Sequence, residues 1–562
     1  MNIVIGGAAG QGMDTIAHLL GKTLTRLGYG VLLSKDYMSR VRGGHNFSLL
    51  RIGSTTPWAQ ATDIDILVAL NEETYAVHHQ KLRSGASVIF DNALFALPAQ
   101  EPRGLPTPFG SLARAAGGAI LASTVATGAV LSLLGLALPT AEGLIREMFA
   151  EGLVEQNIAA LRAGYAALLP ARPVTCALPK ATPLPPQIFI DGNQALGMAA
   201  LASGCRFLAA YPMTPATGVM TYLAARQQQH GLVVEQAEDE IAAINMVLGA
   251  SYAGLRSMTC TSGGGFALMV EGLSLAGMTE TPIVVVLAMR PGPATGLPTR
   301  TEQGDLNFAI FGGHGEFPRA VLSATNLEDA FYRLNKAFNL ADKYQVPVIF
   351  LTDQNFADTA RSIRPYDFSR LVYERHLATE ETATFPYQRY RLTEDGLSPR
   401  AYPGQFIGEV VLSDSDEHDE DGHIIEDGAM RKRMMDKRML KQNALATEMS
   451  EPELYGSTRA EILLIGWGST YGAMREAVDT LNVRGKNAAM LHFSDLWPLP
   501  LNNVTTLLPQ ARHSFCIEGN ATGQFAALLR RESGLQTTYL LLKYDGRPWS
   551  GEEIAREVEK NV

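Results

Sequence analysis

A nearly uncharged run fills residues 241–289, entered through the acids Glu235, Glu238, Asp239 and Glu240 and left through Arg290. It reads as an apolar helix, a glycine-rich turn at 259–265 (TCTSGGG), a second apolar helix and an apolar strand at 283–289. Helices apolar on nearly every side are expected to be buried. Charges kept to the ends of such elements suit a buried site for a polar ligand. Acids in a first turn also complement the helix dipole, and that alone accounts for most clusters of this kind. It leaves Glu240 unexplained, because Ile241, Ala242, Ala243 and Ile244 come directly after it. At least one carboxylate is therefore expected to be carried inward, where it can donate or share a proton.

The 562 residues exceed what one core can organise. Residues 1–169 alternate strands with helices and are expected to form a first α/β domain. The proline-rich segment 170–187 reads as a stiff, extended linker. Alternation resumes over 188–370, with strands expected at 188–190, 205–211, 283–289, 319–323 and 346–352, and again over 456–562. Between them, 371–455 is an irregular excursion, acidic at 413–421 and basic at 431–441, read as a solvated segment with its own ion pairs. Residues 115–138 carry no charge and are long enough for a membrane span. They are rich in Ala, Gly, Ser and Thr and lack a basic flank, so a buried helix packed on other protein is expected.

The net charge of −10 argues against nucleic acid as a partner. Four scattered cysteines without a CxxC pair exclude a disulfide framework, a Cys-rich zinc site and a self-contained iron–sulfur cluster, and suit a reducing cytoplasm. The opening MNIVIGGAAGQG lacks the basic region and cleavage pattern of a signal peptide.

That opening reads as a strand, a glycine turn and a helix with Ile16, Leu19, Leu20, Thr23, Leu24 and Leu27 on one face. Gly10 and Gly12 would let backbone N–H groups approach a phosphate, although Thr15 stands where a dinucleotide site has its third glycine. A plain tight turn is the equal alternative. Arg40 and Arg42 beside Gly43-Gly44 could clamp a phosphate or an acidic surface, or form a solvated salt bridge. Thr214 is offered at the tip of a strand within YPMTP, and Arg290 ends another. An arginine at the C-terminal edge of a parallel sheet can hold a carboxylate at two points, or serve a structural ion pair.

YPMTPAT (211–217), EQAEDEIAAINMVLGASYAG (235–254), the run TCTSGGG to GDL (259–306) and IEGNATGQ (517–524) resemble the 2-oxoacid:ferredoxin oxidoreductases. GGAAGQG (6–12) and RVRGGHNFSLLRIG (40–53) resemble that family's gamma domain, placed ahead of the alpha domains as in the 2-oxoglutarate:ferredoxin type. The resemblance implies three doubly wound α/β domains: a gamma domain, a thiamine-diphosphate pyrimidine-binding domain and a transketolase C-terminal-like domain. It implies a reversible reaction of a 2-oxoacid with coenzyme A, giving acyl-CoA, CO2 and electrons for ferredoxin. The substrate expected is 2-oxoglutarate, with pyruvate, branched-chain and aryl 2-oxoacids as alternatives.

Carried over by position, Glu240 would contact the cofactor's pyrimidine, favouring the tautomer that removes the thiazolium proton. Glu238 competes for that role if the helix register slips. Thr214 and Arg290 match residues holding the substrate's 1-carboxylate, and Pro212, Met213, Ser262, Gly263 and Gly264 form the cofactor wall. Gly10, Gln11, Gly12, Arg42, Gly43 and Gly44 are expected near coenzyme A. The chain resembles neither the family's diphosphate–magnesium motif nor its cluster-binding cysteines, so no metal ligand is expected in it. A separate beta subunit is implied, carrying Mg2+, the diphosphate site and a [4Fe–4S] cluster, in a dimer of alpha–beta heterodimers without nucleic acid or membrane. Two other readings remain: a nicotinamide-dependent dehydrogenase with Asp36 near the ribose, and a scaffold that binds no cofactor.

Overall fold

The computed structural model describes residues 1–39, 44–168, 178 and 185–562. Arg40, Arg42, Gly43 and most of the proline-rich segment lie outside them. The chain forms two units, Met1–Asp191 with Asp358–Pro365, and Gly192–Ala357 with Tyr366–Val562.

The first unit is built on an eight-stranded sheet in the order Gly104–Pro106, Leu82–Phe90, Ile64–Ala69, Asn2–Gly7, Asn46–Gly53, Gly30–Asp36, Ala360–Ile363, Ile188–Asp191. The first four strands are parallel. The helix Met13–Arg26 buries Ile16, Leu19, Leu20, Thr23 and Leu24, the face its spacing predicts. Its two flanking strands do not pair with each other, because Asn46–Gly53 runs antiparallel between them. The strand Ile188–Asp191, which the alternation assigns to the second domain, is instead the outer strand of this first sheet. It pairs antiparallel with Ala360–Ile363. Partners so far apart in sequence leave no local pattern to read.

Residues 115–138 are not one helix. The helix Phe109–Ala116 stops at Gly117, and the turn Ala119–Leu121 leads into a new helix, Ala122–Leu134, buried from Ser123 to Leu134. It crosses Glu151–Leu168 closely enough that a methyl group on Gly128 would lie 2.0 Å from the Leu161 carbonyl oxygen. The small residues serve this close approach. No helix among the described residues is long and apolar enough to cross a membrane.

The second unit holds two sheets. The larger runs Asp495–Trp497, Ala320–Ser323, Pro347–Asp353, Ile283–Met289, Ser257–Thr261, Phe207–Ala210, Val233–Gln236 and is parallel apart from its first strand. The other runs Glu453–Gly456, Ala488–Phe493, Ile462–Trp467, His513–Glu518, Tyr539–Leu542, parallel except for Glu453–Gly456. One apolar core includes residues of both sheets, among them Leu287, Ile349, Ile465, Trp467 and Phe493.

The charged excursion differs from its expected solvated character. Its basic run lies in the helix Gly428–Glu448, where Lys437, Arg438 and Lys441 are buried. Lys437 donates to Glu280 at 2.6 Å, Lys441 donates to the other oxygen of the same carboxylate, and Arg438 is paired with Glu417 at 2.8 Å. Arg375 and Arg400 reach back to Asp342, which also holds Arg256. Such cations tolerate burial because acids meet them.

Candidate active site

The parallel strands of the larger sheet in the second unit end at one edge, where open α/β sheets bind ligands. Three of them lead directly into Tyr211–Thr214, Ser262–Gly264 and Arg290, and the outermost leads into Glu238–Glu240.

The acid cluster separates by function at this edge. Asp239 is the N-cap of the helix Glu240–Tyr252, accepting the Ala242 N–H at 2.7 Å. Glu235 and Glu238 are exposed, whereas Glu240 is 5 % exposed. The cap sets the register, and the register turns Glu240 inward. Its carboxylate packs on the first turn of the helix Gly263–Met278: a methyl group on Gly265 would lie 2.8 Å from Glu240 Cγ and 2.1 Å from Thr261 Oγ1. Gly265 is therefore required by close approach. Thr261 Oγ1 in turn donates toward the Met213 sulfur at 4.0 Å. Glu240, Met213, Thr261 and Gly265 are thus brought together from four segments.

Arg290 donates from Nη1 to the Thr214 carbonyl at 2.7 Å. Among the described residues no carboxylate pairs with it, and burial lowers its pKa from the ordinary value. The structural ion pair that sequence leaves open for Arg290 is not formed there. A guanidinium anchored by one nitrogen keeps other N–H donors for an anion.

Ser262 is fully buried and its hydroxyl has no partner. Gly264 is exposed, and Pro212 and Met213 are half-buried along the same edge. Gly263 meets a residue that the sequence reading did not single out. A methyl group there would lie 2.5 Å from Asp305 Oδ2. Burial pushes the Asp305 carboxyl up to about 6, and the nearby Glu302 rises through burial and then through Asp305 itself. An anionic group at this helix end repels phosphate, which argues against the glycine turn as a phosphate cradle. The signal for Asp305 was an acid outside any helical or strand period, with no base beside it in sequence.

In the first unit, Gly10 and Gly12 have φ of 88° and 81°, the left-handed region that favours glycine. Gln11 folds back over its own turn, its Oε1 accepting the Ala8 N–H at 2.6 Å. Gly12 lies against Ser123, where a methyl group would come within 2.7 Å of Ser123 Cβ, while a methyl group on Gly10 would meet nothing within 4 Å among the described residues. Gly44 is also left-handed, at φ 75°. Arg42 and Gly43 lie outside the described residues. The intervening strand Asn46–Gly53 separates Gly30–Asp36 from the glycine turn's own strand. That weakens the nicotinamide reading, which needs Asp36 on the adjacent strand.

A family profile described as pyruvate ferredoxin/flavodoxin oxidoreductase matches residues 2–167. A second, described as pyruvate flavodoxin/ferredoxin oxidoreductase, thiamine diP-bdg, matches 198–437. The 2-oxoacid:ferredoxin oxidoreductase subunit alpha of Sulfolobus sp is 32% identical over 623 aligned positions, covering 100% of this chain and 96% of the relative. The chain belongs to the 2-oxoacid:ferredoxin oxidoreductases. Among other members of that family, the 2-oxoglutarate synthase subunit KorA of Methanothermobacter thermautotrophicus is 32% identical over 66% of this chain and 98% of its own length. A solved 2-oxoglutarate:ferredoxin oxidoreductase from Magnetococcus marinus, with 2-oxoglutarate, coenzyme A and succinyl-CoA bound, superposes with a TM-score of 0.92. It is 33% identical and covers 100% of this chain and 99% of its own.

Proposed function

We propose that this chain is the fused gamma–alpha subunit of a 2-oxoglutarate:ferredoxin oxidoreductase that works with a separate beta subunit. The reaction joins 2-oxoglutarate and coenzyme A to give succinyl-CoA and CO2, and passes two electrons to ferredoxin, reversibly. The observation that carries this reading is the presence at one sheet edge of a buried carboxylate, Glu240, and of an arginine, Arg290, that no acid pairs with among the described residues.

The residues present fit thiamine diphosphate. Glu240 would meet the pyrimidine, with Pro212, Met213, Ser262, Gly263 and Gly264 as the surrounding wall. The unpartnered Ser262 hydroxyl and the closely packed Gly265 turn suit a flat polar ring there. When bound, the cofactor supplies a carbon nucleophile and an electron sink for the loss of CO2. Glu240 holds a proton at the ring's edge, while Arg290 and the Thr214 hydroxyl orient the substrate's 1-carboxylate. Gly10, Gln11, Gly12 and Gly44, with Arg42 and Gly43, would serve coenzyme A.

A beta partner is supported by what this chain leaves uncovered. The helices bearing Glu240 and Gly263 have Ile241, Met246 and Leu268 exposed at 52%, 40% and 51%. Exposed apolar side chains beside a half-built site mark an interface. Mg2+, the diphosphate site and the [4Fe–4S] cluster are assigned to that beta subunit, with pairs assembling as a dimer of heterodimers. Free, buried Cys205, Cys260 and Cys516 suit a cytoplasmic setting.

Co-expression with a beta-type partner tests the reading. The expected product reduces a viologen dye only when 2-oxoglutarate and coenzyme A are both present. An assembly that binds no thiamine diphosphate would overturn it, and a preference for pyruvate or an aryl 2-oxoacid would move the substrate within the family.

A further inference from the structure

The loop after Arg290 runs along the sheet edge and is held at points on both sides. On the side of the larger sheet, the Leu297 N–H donates to the Pro291 carbonyl at 3.0 Å, and Thr301 Oγ1 accepts the Asn355 N–H at 3.3 Å. The same hydroxyl bonds the Asp353 carboxylate, which lies at the end of the strand Pro347–Asp353. Asp305 then sets its carboxyl against Gly263, on the helix turn where Glu240 also packs. The loop therefore leaves one strand end, Ile283–Met289, and reaches those of the two strands beside it, Pro347–Asp353 and Ser257–Thr261.

On its other side the loop is held to the smaller sheet's domain by backbone bonds and by one side chain, that of Gln303. Gln303 is 2% exposed. Its Nε2 donates to the Trp467 carbonyl at 2.8 Å, at the end of the strand Ile462–Trp467. Its Oε1 accepts the Gly519 N–H at 2.8 Å, its own N–H donates to the Gly519 carbonyl at 2.6 Å, and Asn520 Nδ2 donates to its carbonyl at 3.2 Å. One residue on, the Gly304 carbonyl accepts Gln524 Nε2 at 2.7 Å. Gly519, Asn520 and Gln524 lie in IEGNATGQ. Glu518 of that segment spends its carboxylate on the Phe525 and Ala526 N–H groups and on Asn520 Nδ2. The segment is thus rigid before it grips the loop.

We infer that Gln303 is a positioning residue for the 2-oxoacid: the smaller sheet's domain grips it, and through it fixes the loop that carries Asp305 to the helix turn beside Glu240. This rests on the proposed 2-oxoglutarate activity. Gln303 faces neither Glu240 nor Arg290 and acts only by placing the loop backbone. A displacement of a site wall by about 1 Å is enough to cost up to about a hundredfold in activity. Because the loop begins at Arg290, the residue proposed to hold the substrate's 1-carboxylate, the loss is expected on KM.

The test uses the chain assembled with its beta subunit. Gln303→Ala is expected to raise the KM for 2-oxoglutarate about tenfold or more while kcat stays within about threefold and thiamine diphosphate content is unchanged. Gln303→Glu keeps an acceptor for the Gly519 N–H but sets a buried carboxylate oxygen against the Trp467 carbonyl, so its KM should rise at least as far as that of Gln303→Ala. An unchanged KM in either variant, with only a lower Tm, would reduce the grip to structural glue and overturn the inference. If Gln303→Ala does not assemble, the KM of Gln303→Glu decides on the same terms. A wild-type assembly that turns over no 2-oxoacid overturns the functional reading and this inference with it, whereas an active wild type with unmoved variants sinks the inference alone.

Discussion

Two charged environments of the second unit are built on opposite principles. Around Glu280 the buried charges are matched: two lysines donate to one carboxylate, and Arg389 donates to the backbone carbonyl of the same residue at 2.8 Å. Burial pushes the Glu280 carboxyl up, but Lys437 and Lys441 outweigh it and hold it below the usual range. At the sheet edge the polar groups are unmatched. Among the described residues, Glu240 packs against glycine, Arg290 meets a carbonyl and no acid, and the Ser262 hydroxyl has no partner. Asp305 is raised by burial with no charge to offset it. Charge density would rank the excursion above the edge as a site, and the pairing of charges ranks them the other way. Buried charges that serve stability are paired, and a charge left unpaired at a sheet edge is a candidate for holding a ligand.

The largest effects separate these two carboxylates. Glu240→Gln should cut turnover of the assembled enzyme about a thousandfold, within the span expected for loss of a proton-handling group. It should leave Tm unchanged or higher, since nothing among the described residues pairs with its charge. Glu280→Gln should do the reverse. Stranding two buried lysines costs about 3–5 kcal/mol, read as a fall in the denaturation midpoint of the chain. Turnover per folded molecule should be retained. If Glu240→Gln destabilised the chain as much as Glu280→Gln, the distinction between the two environments would collapse.

A smaller effect comes from Asp305. Its pKa stands at about 6 in the fold against an ordinary 3.8, so between those values the folded chain holds a proton that the unfolded chain has released. More protons in the folded state means that stability falls as pH rises through that window, and the ionised carboxylate is a net cost above it. Asp305→Asn should therefore stabilise the free chain at pH 7 by on the order of 1–2 kcal/mol and flatten its stability profile between pH 4 and 6. Thermal melts across that range check both. An unchanged profile would place Asp305 in solvent and remove it from the unmatched set.

How much of this was legible depends on whether the deciding contacts are local. The apolar face of Met13–Arg26 and the strand–turn–helix order around 259–289 are set within a few residues, and both are readable. The choice between Glu240 and Glu238 was also within reach, because Asp239 is a favoured N-cap and a cap fixes the register of its helix. The antiparallel strand Asn46–Gly53 was hidden because its placement depends on strands on either side of it. The helix Gly428–Glu448 misled because its buried residues are largely cations, so its inner face looks like a solvated one. Only Glu280 and Glu417, far away or on another segment, make that burial tolerable. The outward faces of the apolar helices were expected to be buried, yet Ile241, Met246 and Leu268 are exposed in the chain alone.

The smallest effect probes whether matching around Glu280 is charge for charge. Two lysines share one carboxylate, and burial pushes Lys441 down to about 7 and lowers Lys437 as well. Lys437 alone can balance Glu280. Replacing Lys441 by a methionine of similar length removes one of the two cations and leaves an apolar stem in the same space. Exchanging a buried charge for a packed apolar group of like volume is often neutral or stabilising. Lys441→Met should therefore shift stability by less than about 1 kcal/mol at pH 7. It should also remove the rise in stability that wild type gains as pH climbs from about 7, where the folded chain gives up this proton before the unfolded chain does. A loss as large as that of Glu280→Gln would mean that both lysines are needed and that the network is matched as a triad, not as a pair with a spare cation.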